Sequence, residues 1–254
     1  LIDGQGYLFA FDLQGKPKFK VAYGPEWTKG GNYPSARTTP TLDGDRLYLM
    51  SGQGRIACYK AATGEPVWHV DALEKFKGQN ITWGIAESPL IDGEKVLCTP
   101  GGPDATVVAL NKMTGETIWT SKGLSENSAY CSPMLIERGP NRLILTLVQK
   151  SLVGIDANTG KVYWTVPHKV SYDIQAVSPA YKDGLIYITN GYGHGSKGFQ
   201  LSPDGTSIEP KWSEKSLDVH HGGVVLVGGN IHGAANNGTW TCLDLATGKV
   251  QFTD

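Results

Sequence analysis

The hydrophobic positions fall in short runs, each broken within a few residues by Gly, Asp, Asn or Thr. Stretches such as Arg142–Thr146 and Leu185–Thr189 are rich in aliphatic and β-branched residues and too short for helices, so they predict strands. Asp-Gly pairs at Asp43-Gly44, Asp92-Gly93 and Asp183-Gly184 predict tight hairpins, because these residues accept the positive φ that such turns require. Thr-Gly pairs at Thr63-Gly64, Thr114-Gly115, Thr159-Gly160 and Thr247-Gly248 mark a second set of turns. Only Leu73–Lys77 reads as a short helix.

The runs are organised by a long repeat. A turn glycine is followed four residues later by a large aromatic at Gly15/Phe19, Gly64/Trp68, Gly115/Trp119, Gly160/Trp164 and Gly248/Phe252. A degraded copy pairs Gly205 with Trp212. A second phrase, hydroxyl then proline, keeps the same phase at Thr39-Pro40, Ser88-Pro89, Ser132-Pro133 and Ser178-Pro179, with Gly222-Gly223 in its place in the last copy. Each unit predicts four strands, in the second copy Thr39–Asp43, Arg46–Met50, Arg55–Tyr59 and Pro66–Val70. Four-stranded units of this length in tandem predict an all-β fold, a β-propeller of four-stranded antiparallel blades.

Dividing 254 residues by the mean glycine spacing gives about five and a half units. Aligning Gly15 with Gly64 places Leu1 level with Met50, at the end of a second strand. The expectation is a single propeller domain over 1–254, a fragment of a seven- or eight-bladed ring. It comprises an N-terminal half blade (1–24) and full blades at about 38–76, 87–123, 131–169, 177–216 and 220–254.

Composition narrows the function classes. A net charge of -1 offers no basic stripe for nucleic acid. No apolar run is long enough to cross a membrane as a helix, so no transmembrane segment is expected. The 33 glycines suit many tight turns. The four cysteines are isolated, and Cys58 and Cys242 both lie six residues before the turn glycine, where Phe9, Ala109, Gly154 and Phe199 stand in other copies. That pattern reads as a core slot holding free thiols; for Cys98 and Cys131 a disulfide stays open.

The Thr-Gly-x-x-x-Trp phrase at Thr63–Trp68, Thr114–Trp119 and Thr159–Trp164 resembles the tryptophan-docking repeat of pyrroloquinoline-quinone (PQQ)-like propellers. The resemblance covers the whole chain. It is similar to the bacterial propeller lipoprotein of outer-membrane assembly and, more distantly, to quinoprotein alcohol dehydrogenases. It implies indoles packed between blades and a periplasmic, secreted or cell-envelope location in a bacterium. The family's enzymes carry an adjacent Cys-Cys pair, which this sequence lacks. Quinone catalysis is thereby put in doubt.

Alternating strands put the short turns on one face of a propeller and the long loops on the other, where function concentrates. Those loops are Gly24–Arg37 with Trp27 and Tyr33, Asp71–Glu87 with Trp83, Pro100–Asp104, and Gly191–Gly195. Just before each inner strand, the third residue back from the proline phrase is Arg37, Ala86, Tyr130, Ala176 or His220; the second back is Thr38, Glu87, Cys131, Val177 or His221. Structural slots repeat one residue type, whereas these vary, as expected where a ligand begins. The candidate ligand or cofactor site at the channel mouth is therefore Arg37, Trp83, Glu87, Tyr130, Asp173, Gln175, His220 and His221. Adjacent histidines on a strand point to opposite faces and no carboxylate keeps ligand spacing with them, so no metal site is expected. Catalytic residues are not assigned.

Three functions fit. The first is a non-catalytic binding or scaffold module for a protein or polymer, polysaccharide included. The second, implied by the resemblance, is a PQQ-dependent dehydrogenase oxidising an alcohol or sugar. There Arg37 pairs the quinone's carboxylates, Trp83 stacks on its ring and Glu87 helps hold a calcium ion. The third is a carbohydrate-binding surface built on Trp27, Tyr33 and Trp83.

Overall fold

The computed structural model describes residues 1–29, 33 and 37–254, which divide into two compact units, Leu1–Ser128 and Ala129–Asp254, each with its own sheets and cores. In the first unit β1 (Gln5–Phe11) and β2 (Pro17–Pro25) form a two-stranded antiparallel sheet. A four-stranded meander follows: β3 (Thr41–Asp43), β4 (Arg46–Met50), β5 (Arg55–Lys60) and β6 (Pro66–Asp71). After the single-turn helix α1 (Ala72–Lys75) comes a second: β7 (Leu90–Asp92), β8 (Lys95–Cys98), β9 (Val108–Asn111) and β10 (Thr117–Thr120).

The second unit holds three such meanders. They are β11 (Met134–Arg138) to β12 (Asn141–Leu147), β13 (Ser151–Asp156) and β14 (Val162–Pro167); β15 (Ala180–Lys182) to β16 (Leu185–Asn190), β17 (Gly195–Leu201) and β18 (Ile208–Glu214); and β19 (Val225–Val227) to β20 (Asn230–Ala234), β21 (Trp240–Asp244) and β22 (Val250–Thr253). Five four-stranded sheets and one two-stranded sheet are the five and a half units of the repeat. The helix lies slightly earlier than the sequence predicts, and β3 starts at Thr41 rather than Thr39. Pro40 has no N–H to give a ladder, and the Thr39 N–H donates instead to Ser88 Oγ at 2.9 Å.

That contact explains the hydroxyl-proline phrase. Thr41 Oγ1 donates to the Pro89 carbonyl at 2.6 Å, and Ser178 Oγ bonds both the N–H and the carbonyl of Ser132, at 3.2 and 3.0 Å. Within each unit, the lead-ins to the first strands of neighbouring sheets are thus tied together by side-chain hydroxyls.

Middle strands are buried where neighbouring sheets of the same unit pack on them. All of Leu143 to Leu147 in β12 is buried, and Tyr48, Met50, Ile56 and Cys58 join Val96, Cys98, Val108 and Leu110 in one core of the first unit. Outer strands such as β6 and β18 are largely exposed.

The repeated aromatic and the turn glycine meet between sheets. Phe19 lies over Gly64, Trp68 over Gly115 and Trp212 over Gly248, where a Cβ would come within 2.6, 2.9 and 2.5 Å of the ring. The indole N–H groups of Trp68, Trp164 and Trp212 donate to the carbonyls of Lys112, Gly205 and Leu245 at 2.9, 3.0 and 2.9 Å. The degraded copy at Gly205 therefore still receives the indole before it. These glycines serve twice, since their φ values of +72° to +76° also suit the turn.

Across the strand from each aromatic stands a small residue: Ala10 for Phe19, Cys58 for Trp68, Ala109 for Trp119, Gly154 for Trp164, Gly198 for Trp212 and Cys242 for Phe252. The slot found by counting back from the glycine needs correction in two copies. Phe9 and Phe199 sit one residue away from it, because the turn at 12–16 is one residue shorter than the others and because β17 and β18 pair for two more residues between their turn and Trp212. All four cysteines are buried free thiols.

Hairpins following the first strands use two turn types. At Gly44 and Gly93 the first loop residue has positive φ (+57° and +58°) and the second does not, as in type II′ turns. Asp183 and Gly184 both have it (+51° and +90°), as type I′ requires.

Candidate functional site

Loops that follow second strands, and those that join one sheet to the next, carry the candidate residues. In the first unit they gather on Glu26, which no position of the repeat singles out. Its carboxylate is buried and accepts the N–H groups of Trp27 (2.7 Å) and Gly52 (2.8 Å) and the hydroxyl of Tyr23 (2.6 Å). Burial and the Glu26 charge push the Tyr23 hydroxyl well above the usual phenol range, so it stays a donor. Asn80 reaches from the next long loop and donates to the Gly52 carbonyl at 2.8 Å. Trp27 is wedged between Gly52 and Gly84, where a Cβ would lie 2.9 and 2.7 Å from its side chain. Arg37 is exposed and donates to the carbonyls of Trp83 and Tyr33, which brings Arg37 and Trp83 together.

The two positions before each inner strand behave differently. Third-back residues Arg37, Ala86, Tyr130, Ala176 and His220 are all at least partly exposed. Second-back residues turn inward in most copies: Thr38 Oγ1 donates to the Met50 carbonyl at 2.7 Å, Cys131 Sγ lies 3.5 Å from the Leu147 carbonyl, and Val177 is buried. Glu87 belongs to this inward set and is fully buried. Its Oε1 accepts the Thr99 N–H at 2.5 Å, while Oε2 has no hydrogen-bond partner. Burial raises its acid from the ordinary 4.5 to about 7, against the opposing pull of the Thr99 contacts. His221 departs from the set and is exposed.

In the second unit Gln175 is also fully buried. Its amide nitrogen donates to the carbonyls of Val148, Gln149 and His168 at 2.8, 3.0 and 3.0 Å, and its own backbone carbonyl accepts the Tyr130 N–H at 3.2 Å. Asp173 accepts from Gln149 Nε2 at 2.8 Å. His220 lies 3.6 Å from His221, ring centre to ring centre, and 4.4 Å edge-on from Tyr192, which meets Tyr172 at 5.2 Å. Burial first, and then the neighbouring His221, push the His220 pKa below the ordinary imidazole value, so the ring is neutral at pH 7. Sequence reasoning passed over both tyrosines. Tyr192 stands inside the Gly191–Gly195 loop that the pattern did single out, whereas Tyr172 has no repeat partner to mark it.

The fit to a quinone and a calcium ion can be tested on the donors present. Beside the Glu87 carboxyl the Thr99 side chain supplies one further buried oxygen. Among the described residues no group of three or more His, Cys, Asp or Glu side chains converges. Calcium takes six to eight oxygens, and the guanidinium of Arg37 is already committed to two carbonyls. As arranged, these residues do not fit the pair. Among the described residues no helix is long and apolar enough to cross a membrane.

Four-stranded antiparallel sheets repeated in this way, with the aromatic of one sheet packed on the next turn within each unit, define a PQQ-like β-propeller. The family model described as outer membrane protein assembly factor BamB matches residues 6–254, and the chain belongs to that family. It is 25% identical over 193 residues to quinoprotein alcohol dehydrogenase PedH of Pseudomonas putida, covering 72% of this chain and 30% of the relative. It is 24% identical over 260 residues to tetrathionate hydrolase of Acidithiobacillus ferrooxidans, covering 80% of this chain and 50% of the relative. The chain thus spans half or less of these curated relatives. Among solved structures, BamB from Moraxella catarrhalis superposes with a TM-score of 0.66 at 18% identity, over 100% of this chain and 70% of that one. An assembly factor, a dehydrogenase and a hydrolase share the fold, so the fold alone does not assign the activity.

Proposed function

We propose that the protein is an extracytoplasmic, non-catalytic propeller that binds a protein or polymer ligand on its long-loop side. What carries the reading is how the candidate polar groups are employed. Glu87 and Gln175 are fully buried and hold their own backbone, and Arg37 caps two carbonyls of its own loops. Residues spent on loop architecture leave each unit a braced display surface, with the third-back positions at least partly open to solvent. The family description, an outer-membrane assembly factor, supports placing that surface in the cell envelope.

The match to a quinoprotein alcohol dehydrogenase favours a second reading, PQQ-dependent oxidation of an alcohol or sugar. It requires Arg37 to release both carbonyls and Glu87 to ionise toward a cation. Titration with PQQ and Ca²⁺, followed by fluorescence quenching and by alcohol-dependent dye reduction, separates the two. The expected result is no saturable quenching at millimolar cofactor and no dye reduction, together with saturable co-sedimentation of the protein with purified bacterial envelopes. Saturable quenching that Arg37→Ala weakens at least tenfold, with dye reduction, overturns the proposal, as does the absence of envelope binding.

A further inference from the structure

The second unit carries a feature that none of the repeat slots explains. Tyr172 and Tyr192 are exposed, 74% and 44%, and their rings meet edge to face at 5.2 Å. Both hold left-handed backbone, φ +59° and +62°, and Asp173 beside Tyr172 has φ +55°. Bulky residues seldom adopt that region, and such strain gathers at ligand-holding loops. His220 extends the row at 4.4 Å from Tyr192, and its buried Nε2 has no hydrogen-bond partner.

The two loops that present the tyrosines are braced against each other. The Ser171 N–H donates to His194 Nε2 at 2.9 Å, joining the residue before Tyr172 to the Gly191–Gly195 loop. That loop is held from below by Asp218, which accepts the N–H groups of Gly193 and Gly195, and by Lys215, which donates to the Gly193 carbonyl at 2.7 Å. An exposed aromatic pair on a braced loop is organised before any ligand arrives.

Next to Tyr192 opens a cleft of about 370 Å³ lined by Gly193, Lys215, Ser216, Asp218, Asn236 and Asn237, together with Ala235. Its lining sets amide, hydroxyl, carboxylate and ammonium groups among the carbon atoms of the same side chains and of Ala235. Lys215 and Asp218 supply one charge of each sign and are both engaged with backbone, so the cleft favours an uncharged ligand. The ridge is aromatic with polar edges, an apolar ring body beside a hydroxyl, which suits the C–H face and the hydroxyl rim of a sugar ring.

We propose that this ridge and cleft bind a neutral hexopyranose oligomer. The C–H faces of successive sugar rings lie on Tyr172 and Tyr192, and hydroxyls enter the cleft to meet Asn236, Asn237 and Ser216. The proposal rests on the polymer-binding reading above and names the polymer's class and place.

Native affinity electrophoresis of the whole chain in gels containing laminarin, hydroxyethylcellulose or glucomannan tests it, with alginate as the acidic control. The expected result is retardation by at least one neutral polymer and not by alginate. Tyr172→Ala and Tyr192→Ala weaken the retardation at least tenfold, Asn236→Ala three- to tenfold, and Tyr192→Phe keeps it within about threefold. Thermal melts confirm that each variant is folded; Tyr172→Ala and Asn236→Ala, at exposed positions, keep the test open if Tyr192→Ala unfolds. No retardation by any neutral polymer, or retardation indifferent to Tyr172→Ala, overturns the proposal. So does envelope binding that Tyr172→Ala abolishes but protease treatment of the envelopes also abolishes, which identifies a protein ligand and leaves the broader binding function standing.

Discussion

Glu87 is a carboxylic acid with no exposed surface, one amide donor and one oxygen without a partner. Its acid is raised to about 7, so between pH 4.5 and 7 the native state keeps a proton that the unfolded chain releases. The stability tied to that proton is fully present below pH 4.5 and is lost as pH rises through 7. The loss amounts to about 3 kcal/mol, since each tenfold difference in proton affinity between the two states is worth about 1.4 kcal/mol. Glu87→Gln removes the ionisation and keeps the shape. In urea melts the variant is expected to match the parent at pH 4.5 and to exceed it by about 2–3 kcal/mol at pH 8; a constant difference across that range refutes the assignment. The sequence could show that this position varies between copies, but not which way it points. Residues two and three back from the proline phrase are adjacent on an extended chain and face opposite sides. Glu87 and Arg37 therefore looked alike as site candidates, and only coordinates separate the buried one from the exposed one.

Strand pairing explains why the repeat was so legible and where it misled. The aromatic, its small cross-strand neighbour and the next turn glycine form one packing unit, so sequence must keep all three in phase. The same unit survives in the fourth full-length copy with its spacing changed. β17 and β18 pair for two more residues before the Ser202–Ser207 turn, and Gly198 rather than Phe199 faces Trp212. A count from one glycine cannot see such a compensation. The size limit of the slot gives a direct expectation. A Cβ at Gly198 would come 2.2 Å from the Trp212 ring, so Gly198→Val forces the indole aside and costs about 1–3 kcal/mol. Cys58, opposite Trp68, tolerates Ala at a cost of roughly 1 kcal/mol or less, whereas Cys58→Leu behaves as Gly198→Val does. Equal stability of the Ala and Leu variants in chemical denaturation runs against a slot closed by the indole.

At the scale of the chain, the same rule makes stability a sum of neighbouring terms. Fold class was legible because, within each unit, one sheet repeats the same few contacts with the next. The binding surface was not, because Tyr172, Tyr192, Asp218 and Asn236 lie on loops whose composition the repeat leaves free. Relatives that share the sheets while bearing the names of an assembly factor, a dehydrogenase and a hydrolase express the same division. If coupling reaches only the adjacent sheet, aromatic contacts in separate units act independently. Trp68 bonds the Lys112 carbonyl within the first unit, and Trp212 bonds the Leu245 carbonyl within the second, with no partner in common. Trp68→Phe and Trp212→Phe each lose one N–H donation and part of the ring, about 1–3 kcal/mol apiece. Together their costs are expected to add within about 0.5 kcal/mol. Trp212→Phe combined with Gly198→Ala falls short of additivity, because the smaller ring makes room for the added methyl. A double-mutant cycle on urea midpoints measures both pairs, and strong coupling of Trp68 to Trp212 refutes the nearest-neighbour account.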